Sequence, residues 1–238
     1  MAKFAVYYVP PAQSLLYQRG SEILGYDVRR GQLLPEYNNT RARLPEFREE
    51  WVTQPQSYGF HVTTGYSLYF DTARLPQIER EMEDVCNCFS PGLEFTFTPA
   101  AEHITFWNDS IVVLRYDPNP AMLMLHTMLT ARVNPYGNAS NISESYAQKN
   151  PADLDPVKAH RVRKYYTPYM LDGWTPHFTL MMPYTGQQTA AMRTALHNLF
   201  PPEPIRVESI SLLVKGDHDT HYQYYREFRF ADFPQPLL

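Results

Sequence analysis

Cysteine is nearly absent, positive charge is not in excess, and no long apolar run interrupts the 238 residues; each shortage excludes something. The two cysteines, Cys86 and Cys88, stand one residue apart with no second pair, so they make no structural zinc set and read as reduced thiols. Lys and Arg number 21 against 25 Asp and Glu, a formal net charge of −4. Duplex nucleic acid is held largely by cations clustered on its phosphates, so a duplex DNA partner is not expected. Small phosphodiesters and short oligonucleotides remain open. The run MAKFAVYYVPP carries one Lys and is stopped by Pro10 and Pro11 before it reaches signal-peptide or membrane-spanning length. A cytoplasmic protein with no membrane partner is expected; oligomeric state is not legible. Four signatures are also missing: H-E-x-x-H, G-x-S-x-G, the P-loop and G-x-G-x-x-G.

What is present is a globular composition, 44% hydrophobic and unusually aromatic at 14%, with 18 tyrosines and length enough for a substantial core. One order of elements recurs. It runs from an apolar strand opening with H-x-T, through an amphipathic helix and a proline break, to a strand hairpin. In the first copy the strand is His61 to Phe70, and the helix near Leu75 to Phe89 sets Leu75, Ile78, Met82, Val85 and Phe89 at helical spacing before Pro91. The strands GLEFTFT and HITFW follow, turned at Asn108-Asp109 into SIVVLRY. In the second copy the strand is His177 to Tyr184, and the helix near Gln187 to Phe200 aligns Met192, Leu196 and Leu199 before Pro201 and Pro202. IRVESISLLVK, a turn at Gly216-Asp217 and HYQYYREFRF complete it. A helix from about Pro120 to Arg132 links the copies.

The pattern predicts one α+β domain over 1–238, bilobal by internal duplication: two mainly antiparallel sheets with outer helices around a central cleft. The motifs lie around 58–70 and 174–184, and two inserts, about 12–57 and 134–170, fall outside the repeat. The second insert ends in the basic stretch Lys158, His160, Arg161, Arg163 and Lys164, which suits either a solvated helix face or a cover over an anionic substrate.

H-x-T occurs at His61, His103, His177 and His218. His218 falls at a hairpin tip, and His103 follows the helix of its copy with no counterpart in the other. Only His61 and His177 occupy equivalent places. Strand alternation sends His61 and Thr63 to one face and Val62 to the other, and does the same for His177, Thr179 and Phe178. Strands related by a pseudo-two-fold axis would aim both pairs into one cleft.

Opening a phosphodiester requires a nucleophile and a leaving oxygen on opposite sides of phosphorus. Two imidazoles with ordinary pKa values of about 6.5 can serve as base and acid there, with threonine hydroxyls holding the non-bridging oxygens. Neither metal nor cofactor is required. A zinc hydrolase is the competitor, with Asp172 as the third ligand. Tyr7, Tyr169 and Lys215 are the secondary candidates for contact with a base or phosphate.

The paired motifs resemble those of the two-histidine (2H) phosphoesterase superfamily, which includes RNA 2′,3′-cyclic phosphodiesterases and RNA ligase-like proteins. YYVPPAQSLLYQRGSEILGYDVRRG, YGFHVTTGY and YTPYMLDGWTPHFTLMMPY are similar to an uncharacterised branch found with phosphonate-utilisation genes. The resemblance implies the bilobal fold, His61 and His177 as acid and base, and Thr63 and Thr179 as phosphate ligands. It implies a phosphodiesterase acting on a small cyclic phosphate or a 2′,3′-cyclic or 2′,5′-linked nucleotide. A non-catalytic nucleotide or RNA-end binding protein and a ligase-like transferase stand as alternatives.

Overall fold

Short polar signals set the element boundaries. The Ser14 hydroxyl accepts from the Tyr17 amide and starts the first helix, which Gly25 ends in the left-handed region at φ 73°. The Asn119 side chain accepts from the Met122 amide, with Pro120 at the first helical position of the linking helix. Asn108 and Asp109, at φ 50° and 53°, make the left-handed two-residue turn that a tight hairpin needs.

The computed structural model describes residues 1–90 and 92–230, so the expected break at Pro91 lies outside the described residues. In chain order the elements are β1 (Lys3–Tyr8), α1 (Leu15–Leu24), β2 (Tyr26–Asp27), β3 (Gln32–Leu33), α2 (Thr53–Gln56), β4 (Val62–Phe70), α3 (Leu75–Asn87), β5 (Thr96–Trp107) and β6 (Ile111–Pro118). They continue with α4 (Pro120–Val133), β7 (Gly137–Ala139), α5 (Asn141–Ala147), α6 (Pro156–Tyr165), β8 (His177–Met181), α7 (Thr189–Leu199), β9 (Ile205–Arg206), β10 (Ser209–Lys215) and β11 (Gln223–Arg229). The expected α+β class holds. One strand differs: the two segments expected before Asn108 are a single strand, β5, whose pairing with β6 is irregular between Pro99 and Ile104.

A nine-stranded antiparallel sheet runs β11-β10-β1-β4-β8-β6-β5-β9, with β7 on β4 and a separate β2-β3 ribbon. Its two halves meet where Val62 of β4 pairs with Phe178 of β8. The hairpins are exchanged between the copies. The β5–β6 hairpin, which follows the first motif, joins β8 of the second through β6, and the β10–β11 hairpin, which follows the second, joins β1 beside β4 through β10.

One face of the sheet is the core face. Tyr8, Val62, Phe178 and Leu114 are cross-strand partners over four strands and are 3%, 0%, 0% and 0% exposed. Partners across a ladder share a face, so α1, α3, α4 and α7 enclose this row and its neighbours. The opposite face holds the motifs.

Candidate active site

The pairing of Val62 with Phe178 fixes the register at the centre. One step either way along an antiparallel ladder puts His61 opposite Thr179 and Thr63 opposite His177. The adjoining strands extend these pairs, with Tyr7 beside Thr63, Arg115 beside His177 and Val113 beside Thr179. A row therefore crosses the cleft face as Tyr7, Thr63, His177, Arg115. Next to it lies His61, Thr179, Val113.

The two histidines are held alike. His61 Nδ1 lies 2.9 Å from the Gly59 carbonyl and His177 Nδ1 lies 2.7 Å from the Thr175 carbonyl, in both cases two residues upstream. A carbonyl only accepts, so each Nδ1 carries the proton and each Nε2 keeps its lone pair. The Nε2 of His61 lies 3.2 Å from Thr63 Oγ1. Gly59 makes the first turn possible: its φ is 72°, and a Cβ there would meet Val28 at 2.6 Å.

Their surroundings differ. His61 is 8% exposed, stacked on Tyr7 with centroids 3.5 Å apart and met edge-on by Tyr58 at 5.3 Å. Burial pushes its pKa down to about 3, with the neighbouring His177 adding to the fall and the Gly59 carbonyl opposing it. His177 is half-buried, with Trp107 edge-on at 4.5 Å, and burial lowers its pKa against the pull of the Thr175 carbonyl. Burial raises the Tyr58 pKa and the Thr179 hydroxyl opposes the rise, so this tyrosine neighbours both motifs. Behind the site, Trp174 Nε1 donates to the Thr63 carbonyl at 3.0 Å, and its indole stacks on the buried His126 of α4 at 4.1 Å.

The structure thus brings His61, Thr63, His177, Thr179 and Tyr7 together. Tyr169 is placed apart, 47% exposed: its carbonyl accepts from Tyr66, whose ring edges against His126. Lys215 donates to the Thr220 carbonyl and lies 6.0 Å from the Tyr222 ring centre. Asp172, weighed as a zinc ligand, is 85% exposed and ion-paired with Arg161. Among the described residues no three His, Cys, Asp or Glu side chains gather as metal ligands. His103 points the other way, edge-on to Tyr116 of the core face, while His218 is exposed at the hairpin tip. Sequence reasoning missed Tyr58, Trp107 and Arg115. Tyr58 carried a signal, three residues before His61; the other two become visible only with the register of β5, β6 and β8.

Comparison with known proteins gives one family match: the family described as "Protein of unknown function (DUF1045)" covers residues 79–223. Among solved structures, the chain is similar to TT0787 of Thermus thermophilus (11% identity, 96% of this chain and 97% of that chain, TM-score 0.47). It is similar to a protein described as a phosphoesterase (12% identity, 96% and 97%, TM-score 0.44). It is similar as well to Usb1 of Kluyveromyces marxianus (10% identity, 93% and 96%, TM-score 0.41). No curated protein matches.

Proposed function

With more than half of its length matched, the chain belongs to the DUF1045 family, and from the geometry of the paired motifs we propose that it is a phosphodiesterase of the two-histidine type. The observation that carries this reading is the pair of imidazoles, each with Nδ1 tied to a carbonyl and Nε2 keeping its lone pair, that of His61 beside the Thr63 hydroxyl, flanking the Val62–Phe178 junction with a threonine opposite each. A phosphodiester seated there has a proton acceptor on one side of phosphorus and a proton donor on the other.

The two environments suggest the roles. His61 is the more enclosed and is further disfavoured as a cation by His177, so it is the base. Its Nε2 takes a proton from water as the water oxygen bonds to phosphorus. His177, the more open ring, enters protonated and passes that proton to the departing oxygen as the phosphorus–oxygen bond breaks. The Thr63 and Thr179 hydroxyls donate to the non-bridging oxygens, where charge accumulates in the transition state. The substrate class is a small cyclic phosphate or a 2′,3′-cyclic or 2′,5′-linked nucleotide, and no metal enters these steps.

The test is turnover by EDTA-treated protein of a panel of nucleoside 2′,3′-cyclic phosphates, small cyclic phosphates and short 2′,5′- and 3′,5′-linked oligonucleotides. A phosphomonoester product that forms without metal supports the proposal. Activity that vanishes on chelation and returns with zinc points to the zinc alternative. Binding without turnover that survives His61→Ala would sink it in favour of a holding role.

A further inference from the structure

Both imidazoles favour their neutral forms, and threonine hydroxyls carry no charge, so the motifs alone supply little fixed positive charge for an anionic substrate. The cross-strand row supplies one. Arg115 of β6 is the register partner of His177 and stands on the same face, one strand beyond it, about 5 Å away at the backbone.

Its state sets it apart from the other arginines. Six are less than fully exposed: Arg19, Arg29, Arg41, Arg115, Arg161 and Arg193. Arg19 donates to the Leu199 carbonyl, Arg29 to the Val9 and Pro10 carbonyls, Arg41 to the Ile23 carbonyl and Glu49, Arg161 to Asp172, and Arg193 to the Ile104 carbonyl. Among the described residues, the Arg115 side chain has no such acceptor, and its Nε is buried with no partner. A guanidinium keeps its charge at any working pH, and an enclosed donor without an acceptor is unusual unless something else fills the position. Trp107, edge-on to His177, closes the same side with an aromatic wall.

We infer that Arg115 is an oxyanion ligand of this cleft, gripping an acidic group of the substrate on the His177 side. The inference rests on the proposed site but not on its chemistry. The forked N–H groups of arginine match the paired oxygens of a phosphoryl, phosphonyl or carboxyl group. If His177 protonates the leaving oxygen, the leaving moiety lies on the Arg115 side. The oxyanion is then either the scissile phosphate itself or a second acidic group carried by that moiety.

Inorganic phosphate is the first probe, titrated calorimetrically into wild type, His177→Ala, Arg115→Gln and Arg115→Lys, with each variant's fold checked by circular dichroism. Arg115→Gln is expected to weaken phosphate binding about tenfold to a hundredfold, and Arg115→Lys less. The second measurement is kcat and KM on matched phosphodiesters with and without an acidic group on the leaving moiety. A loss shared by both substrates assigns the scissile phosphate; a loss confined to the diacid, carried in KM, assigns the second group. Phosphate binding and both KM values unchanged in Arg115→Gln overturn the inference. Arg115-dependent phosphate binding without any turnover leaves it standing and removes the hydrolase, whereas turnover indifferent to Arg115 does the reverse. Should Arg115→Gln fail to fold, Arg115→Lys decides between the same outcomes.

Discussion

The surroundings of His61 and His177 share a frame and differ in their filling. Each ring is tied through Nδ1 to the carbonyl two residues before it, and each begins a strand beside its counterpart. Around His61 the filling is tyrosine: Tyr7 stacked, Tyr58 edge-on, and Tyr222 6.1 Å beyond Tyr7. Around His177 it is Trp107 edge-on and Arg115, its register partner on β6. The proposed mechanism asks one ring to accept a proton and the other to donate one, which two identically placed imidazoles alone would not distinguish. The unequal filling breaks the tie.

The largest expected effect comes from removing either ring. His61→Ala and His177→Ala should each lower kcat/KM by about 10³-fold, the usual worth of a positioned acid or base. The comparison sharpens in the pH profile: loss of His61 removes the acidic limb and loss of His177 the alkaline one. The reverse assignment of limbs would exchange the roles. Thr63→Val and Thr179→Val come next, each costing about 10²-fold in kcat with KM less affected, as for removal of one oxyanion donor. Tyr58→Phe keeps the ring against His61 and removes the hydroxyl that neighbours Thr179; a loss of about fivefold, near 1 kcal/mol, is expected. Steady-state kinetics at fixed pH read all three sets.

The pH optimum of wild type follows from the same asymmetry. His61 titrates at about 3 and His177 below its ordinary 6.5, so kcat/KM should peak on the acid side of pH 6.5; an optimum above it contradicts the burial of both rings. The smallest effect is on stability. Each ring binds a proton less readily folded than unfolded, so its contribution is whole above about pH 6.5 and fades as pH falls toward the folded value. His61→Gln and His177→Gln should each flatten that acid decline, read from unfolding free energies in urea across pH.

Local features were legible in the sequence because local physics writes them. The helical spacing of Ile78, Met82 and Val85, the Asn108-Asp109 turn and the alternation around both histidines all reappear in the fold. The exchange of hairpins did not show, because pairing partners far apart in the chain leave no mark in either segment alone. Arg115 was hidden for the same reason: on a strand reading SIVVLRY it is one more alternating polar residue until β6 is laid beside β8. GLEFTFT and HITFW read as two strands, yet β5 runs through both, with Pro99 at the edge of its irregular pairing. Tyr169 looked close to the second motif in sequence, but the turn at 171–173 between them packs against α4, and the Tyr169 carbonyl is taken by Tyr66.

The crossed hairpins carry a consequence for anyone who would divide this molecule. A cut between the two repeats severs no loop of convenience: it strips the β1–β4 pair of β10 and β8, and takes from β8 both of its neighbours, β4 and β6. Neither piece keeps its full set of sheet partners by itself, whereas mixing the two pieces restores every partner. Fragment complementation, with heat capacity and circular dichroism returning only on recombination, is the behaviour such an interlaced architecture dictates.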